Sequence, residues 1–201
     1  MIPVYLNDLH LDQVLAAYTA NVDVYLQQSN GNEHIVDSET LKISGFVSPT
    51  FGQPEELALK YFEVQNPNSR DFSLLQIDNG AISSAAPTKR CDCAVITDKE
   101  LSFIEFKANA LSSKTKTIKA NYKSAMKQLR ITIDIFRSGI AASGASLSAL
   151  RNVEAFVCFR RGYPRVTTSE MTYRTNFAAQ AHVPLSFEPI KRFPISTTRG
   201  A

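Results

Sequence analysis

Asp92, Glu105 and Lys107 are the residues whose types and spacing best suit chemistry in this chain. They lie in Cys91-Asp92-Cys93-Ala94-Val95-Ile96, a polar turn Thr97-Asp98-Lys99-Glu100, and Leu101-Ser102-Phe103-Ile104-Glu105-Phe106-Lys107. β-Branched and aromatic residues on both sides of a polar turn predict a hairpin. With a symmetric turn of two or four residues, Ile96 pairs with Leu101 and, counting outward, Asp92 pairs with Glu105. Directly opposed residues of an antiparallel pair share a face, with Cβ atoms about 4.5–5.5 Å apart. The strand period of two puts Lys107 on that face as well; an asymmetric turn would break this register. Two carboxylates held so close destabilise the fold unless something compensates them, and a divalent cation is the obvious compensator. Hard oxygen ligands suit Mg²⁺ or Mn²⁺. Such an ion polarises a phosphoryl oxygen and lowers the pKa of bound water. A lysine beside it orients or deprotonates the attacking water, or stabilises developing charge.

The pattern Asp-x12-Glu-x-Lys on a hairpin resembles the PD-(D/E)XK nuclease superfamily, over roughly residues 52–160. The resemblance implies a restriction-endonuclease-like fold and a metal-dependent nuclease. Asp92 and Glu105 would hold the metal and Lys107 would serve catalysis. Members often carry proline directly before the aspartate; here that place is Cys91, and Pro87 is displaced. Glu-x-Lys triplets also occur on solvated strands. Here, however, Val95, Ile96, Phe103, Ile104 and Phe106 make the flanks apolar.

A helix is expected to begin near Pro54, a residue suited to the first helical position. Its start, Gly52-x-x-Glu55-Glu56-Leu57-Ala58-x-x-Tyr61-Phe62, resembles the first helix of Holliday-junction-resolvase-like members. That resemblance implies a third metal ligand at Glu55, with Glu56 as a substitute, although acids in a first turn also complement the helix dipole.

Charge is unevenly spread. Residues 1–88 hold three Lys/Arg and eleven Asp/Glu, residues 89–137 eleven and five, and residues 138–201 eight and three. The basic region begins where the carboxylate pair begins, as a phosphodiester substrate requires. Within it, residues 115–137 predict a long helix. Ile118, Tyr122, Ala125, Leu129, Ile133 and Phe136 form one stripe, and Lys116, Lys119, Lys123, Lys127, Arg130 and Arg137 another about 140° away. The basic stripe is the candidate nucleic-acid surface. Asn121 and Gln128 flank the apolar stripe. Some relatives place a glutamine of this helix near the metal with a tyrosine four residues later. Here Thr132 holds that place, so Gln128 is expected to be an edge residue. Arg160, Arg161 and Arg165 are further candidates for phosphate contact.

Around these elements, residues 7–28 predict an amphipathic helix through Leu11, Val14, Leu15, Tyr18, Val22 and Tyr25. Residues 34–47 give a mixed extended signal. Strands are expected at Phe72–Ile77 and Val153–Phe159, a Gly/Ala/Ser loop at 138–148, and an aperiodic tail from 166 that wraps the core. The fold class is thus α/β: a mixed sheet flanked by helices, with an N-terminal helical extension (1–50), a nuclease core (52–160) and a C-terminal wrap (161–201).

The 201 residues and 44% hydrophobic content suit one domain with a sizeable core. Three cysteines make no disulfide framework, which with the lack of a leader-like start predicts a reducing, cytoplasmic location. Cys91-x-Cys93 and three scattered histidines do not suit a structural zinc site. No apolar run is long enough for a membrane span. The expected partner is nucleic acid, DNA first, with a homodimer or protein partner open. The rival to a nuclease is a catalytically silent binding module on the same fold.

Overall fold

The computed structural model describes residues 3, 9–38, 41–51, 61–83, 89–107, 113–144, 150, 152–163 and 167–194. Its elements are α1 (Leu11–Val14), a 3₁₀ turn (Val22–Tyr25), β1 (Leu26–Ser29), β2 (Glu33–Ser38), β3 (Ile43–Phe46), β4 (Phe62–Gln65), β5 (Phe72–Gln76), β6 (Cys93–Ile96), β7 (Glu100–Lys107), α2 (Thr115–Ala142), β8 (Asn152–Phe159), α3 (Thr167–Ala181), β9 (Leu185–Ser186) and β10 (Ile190–Arg192). The architecture is mixed α/β with two sheets. A six-stranded sheet runs β1-β5-β6-β7-β8-β9, and a four-stranded sheet runs β10-β4-β2-β3. In the larger sheet β1, β5, β6 and β7 are antiparallel neighbours, whereas β8 and β9 join in parallel. The parallel step from β7 to β8 is spanned by α2, the long crossover that such a pairing demands.

The larger sheet is covered on both faces, which is why β6 is a continuous apolar run and why β7 is buried from Glu100 to Phe106. Ala94, Ile96, Leu101, Phe103, Ala155 and Val157 pack with Ile118, Tyr122, Ala125, Leu129, Ile133 and Phe136 of α2. Phe103 meets Phe136 edge to face at 5.1 Å. The alternate residues Cys93, Val95, Ile104, Phe106, Phe156 and Cys158 pack on Ile35, Phe62, Val64 and Phe193 around the smaller sheet. At the N-terminal end of β7 an ion network centred on buried Glu100 and Lys191 joins the two sheets. Lys191 of β10 lies 2.7 Å from Glu100 of β7 and also pairs with Glu154 of β8, while Arg70 reaches Glu100 at 3.0 Å and Asp98 at 2.6 Å.

Three expectations change. Residues 7–28 are not one helix: among the described residues, α-helix there is confined to Leu11–Val14, a 3₁₀ turn follows at Val22–Tyr25, and Leu26–Ser29 pairs with β5. Leu11, Val14 and Leu15 are buried as the periodicity requires. Beyond them Asn21 caps the 3₁₀ turn by accepting from the Asp23 N–H at 3.2 Å, and ladder bonds to β5 take over from a weak helical preference. The region 138–148 does not start as a loop, because α2 continues to Ala142 and buries Ile140. The tail from 166 holds a 15-residue helix and two strands. The expected helix near Pro54, with Glu55 and Glu56, lies outside the described residues. Among the described residues no helix is long and apolar enough to cross a membrane.

Candidate active site

The hairpin closes with the Thr97 N–H donating to Glu100 O at 2.9 Å, and Ile96 pairs with Leu101. The ladder holds to Cys93–Ile104 and then breaks. Asp92 also donates its N–H to Ile104 O, at 3.1 Å, so two residues oppose one: the mark of a bulge. The expected direct pairing of Asp92 with Glu105 is therefore not a ladder position. With alternation interrupted, Cys91 joins the core facing α2. The Asp92 carboxylate instead accepts the Phe106 N–H at 2.5 Å.

The bulge is held from every side. Asp92 O accepts from the N–H groups of Ile77, at 2.9 Å, and Asp78, at 3.1 Å. The Cys91 N–H donates to Thr132 Oγ1 at 2.8 Å, and Gln128 Nε2 donates to Arg90 O at 3.0 Å. Thr132 Oγ1 in turn donates to Gln128 O at 3.0 Å, a bond available to a threonine inside a helix. One turn of α2 thus fixes the segment that carries Asp92. Gln128, expected as an edge residue, is part of the site.

Glu105 is buried, at 1% exposure, and ion-pairs through Oε1 with Lys107. Lys107 also donates to Gln128 Oε1 at 2.7 Å, and Ser124 Oγ reaches the same oxygen at 3.2 Å. Glu105 Oε2 is buried with no hydrogen-bond partner among the described residues. Burial pushes the Glu105 carboxyl up to about 8, against the opposing pull of Lys107 and with smaller upward contributions from Asp37 and Asp78. Burial, then Glu105 and Asp37, raise Asp92 well above the carboxylate range, opposed by the Phe106 N–H and Lys107. Two carboxyl groups that resist ionisation beside one lysine, one with an orphaned buried oxygen, are a place short of positive charge.

Asp37 on β2 is absent from the sequence-derived site because it arrives from the other sheet. It pairs with Ser44 across β2–β3, and the Ser44 hydroxyl donates to its Oδ1 at 3.2 Å. A cavity of about 440 Å³ opens between the sheets and is lined by Asp92, Asp37, Asp78, Lys42 and Lys89 together with Ser38, Ser44 and Asn79. Asp78 is ion-paired at 2.8 Å with Arg90, which is 2% exposed and also donates to Ser83 O at 2.7 Å. Asn79 donates to Lys42 O at 3.1 Å, tying the β2–β3 hairpin to the segment after β5.

The residues present fit a hard divalent cation in donor chemistry. Asp92 and Glu105 supply carboxylate oxygens, one of them unpartnered, and Mg²⁺ commonly uses one or two carboxylates with waters completing its shell. Among the described residues no cluster of three or more His, Cys, Asp or Glu is gathered at ligand spacing, and Glu55 lies outside them.

Lys116, Lys119, Lys123, Lys127 and Arg130 are all exposed along α2. Arg137 leaves this stripe: it is half-buried and donates to Ala181 O at the C-terminal end of α3, where a cation suits the helix dipole. Arg160 and Arg161 follow β8 at the same sheet end as Lys107, which pairs with Phe159. Arg165 lies outside the described residues. Comparison of the chain with protein-family models, with curated proteins and with solved structures returns no match.

Proposed function

We propose that the chain is a divalent-metal-dependent nuclease hydrolysing phosphodiester bonds of nucleic acid, DNA first, by a site similar to that of the PD-(D/E)XK superfamily. One observation carries the reading. Buried Glu105, with an unpartnered oxygen, shares its end of the sheet with Lys107, Gln128 and the bulged Asp92. Such a buried, charge-deficient group is costly to a fold that has no use for it.

Asp92 and Glu105 are the residues that would hold Mg²⁺ or Mn²⁺. When bound, the ion supplies Lewis-acid polarisation of a phosphoryl oxygen and a more acidic water. The chain's own residues supply the rest. Gln128 holds the Lys107 ammonium through a 2.7 Å bond, so the lysine points where Glu105 is rather than into solvent. From there Lys107 orients water or stabilises charge developing on the phosphate. Lys42 and Lys89 bring positive charge to the cavity beside Asp92, where the negative backbone of a substrate would lie. The exposed cations of α2 extend that attraction outward. Water attacks directly, with no covalent intermediate.

The test is incubation of plasmid, single-stranded DNA and RNA with Mg²⁺, Mn²⁺ or EDTA. Cleavage is expected with either metal and not with EDTA. Asp92→Ala and Glu105→Gln are expected to abolish both cleavage and metal binding, and Lys107→Ala to abolish cleavage alone. Absence of cleavage of every substrate, together with no heat of metal binding, would leave the silent binding module in its place.

A further inference from the structure

The cleft between α2 and α3 lies apart from the carboxylates and has a composition of its own. It encloses about 320 Å³. Lys123, Lys127 and Arg130 line it from α2 at the i, i+4, i+7 spacing of one helix edge, and Tyr173, Asn176 and Gln180 line it from α3 at i, i+3, i+7. Met126 and Phe177 make its apolar part. None of these lining residues is acidic, so the charge is one-sided. The aromatic platform is set in advance. Tyr173 stacks on Tyr122 at 5.0 Å and 23°, and buried Tyr122 is fixed by its hydroxyl bond to Glu170 at 2.7 Å. The Gln180 amide is oriented by Arg130, whose Nη1 donates to Gln180 Oε1 at 3.1 Å. Asn176 and Gln180 themselves are exposed at the mouth.

We propose that this cleft receives one unpaired nucleotide, making single-stranded nucleic acid the preferred substrate class. Each part of a nucleotide has a matching group. The lysines suit the phosphate, the half-buried Tyr173 ring offers a rigid surface for stacking a base, and the two amides suit hydrogen bonding to a base edge. A duplex presents its phosphates to such a cleft but keeps its bases stacked inside, so the aromatic and amide groups would go unused. The volume is at the small end of ligand pockets, about 300–1,000 Å³, and suits a single nucleotide. Gln128, which holds Lys107, is next to Lys127 on α2, so the cleft and the carboxylates are reached from neighbouring edges of one helix. The proposal takes its substrate role from the nuclease reading; the pocket itself rests on the cleft alone.

The test is fluorescence anisotropy of a labelled oligo-dT, and of its duplex with oligo-dA, titrated with full-length protein in EDTA so that nothing is cut. Wild type is expected to bind the single strand more tightly than the duplex. Tyr173→Ala should weaken single-strand binding about tenfold or more, and Tyr173→Phe should retain it, because the ring is kept. The double variant Asn176→Ala/Gln180→Ala changes only exposed side chains. It should weaken the single strand several-fold and the duplex by less than twofold. Equal affinity for both forms, or single-strand binding unmoved by Tyr173→Ala and by the double variant, overturns the pocket even if metal-dependent cleavage is found. Loss of single-strand binding in these variants with no cleavage under Mg²⁺ or Mn²⁺ keeps the pocket and removes the nuclease.

Discussion

Lys107 and Gln128 meet at 2.7 Å, and the same Gln128 side chain donates to Arg90 O at 3.0 Å. One amide therefore sets both Lys107 and the backbone just before Asp92. Gln128→Leu removes both bonds without touching a proposed metal ligand. Cleavage is expected to fall about 10²-fold, the scale of a small misplacement of reacting groups. Mg²⁺ affinity by calorimetry should stay within about threefold of wild type, since ligand identity is unchanged. A parallel loss of metal affinity would make Gln128 part of the metal's support instead.

Asp37 reaches the site from the smaller sheet, and its charge raises both Asp92 and Glu105. Asp37→Asn keeps the shape and an acceptor for the Ser44 hydroxyl. At pH 8.5 the variant is expected to bind Mg²⁺ about tenfold more weakly, the lower range for losing a supporting group of a metal site. Titration calorimetry of both proteins at that pH measures it. Unchanged affinity would confine Asp37 to the β2–β3 pairing.

The hairpin was legible because β-branched and aromatic residues flank a polar turn on both sides; Ile96–Leu101 pairing follows directly. The Asp92 bulge was not, because an extra residue in a ladder leaves no trace in the period-two pattern until the bonds are seen. α2 announced itself through its apolar stripe. α3 did not: its buried side is Glu170, Phe177 and Ala181, with Tyr173 and Arg174 half-buried, so a carboxylate and a guanidinium occupy places where an apolar stripe is sought. The Glu105–Lys107 pair is local in sequence and could be read. Asp37 is brought in by packing of one sheet on the other, and Gln128 is recognisable only once α2 is seated over the bulge.

Lys191 is 4% exposed and is shared by Glu100 and Glu154. Lys191→Met leaves Glu100 buried with Arg70 as its remaining cation among the described residues. Breaking a buried pair from one side typically costs about 3–5 kcal/mol, and the remaining Arg70 bond places the expected loss near about 3 kcal/mol. Urea denaturation measures it. Adding Glu100→Gln to Lys191→Met should recover part of the loss, because the stranded charge is gone; a double variant no more stable than the single would show that packing of the lysine stem matters instead.

The raised Glu105 carboxyl fixes the sign of a pH effect on the metal-free protein. Its folded value of about 8 lies above the ordinary value of 4.5, so between these limits the folded chain holds a proton that the unfolded chain has released. Stability rises with pH only where the unfolded state binds more protons; here it binds fewer. The contribution is complete below pH 4.5 and is lost as pH rises through 8, and the raised Asp92 acts in the same direction. Urea unfolding in EDTA should show the midpoint falling between pH 5 and pH 8.5. Glu105→Gln should reduce that fall, since an amide has no proton to lose. Mg²⁺ binds the ionised carboxylates, so its stabilisation should be larger at pH 8.5 than at pH 5, with proton release seen as a buffer-dependent heat. A wild-type midpoint that holds level from pH 5 to 8.5 in EDTA, or Mg²⁺ stabilisation equal at both pH values, would mean that Glu105 is ionised throughout and that the site is more solvated than its burial implies.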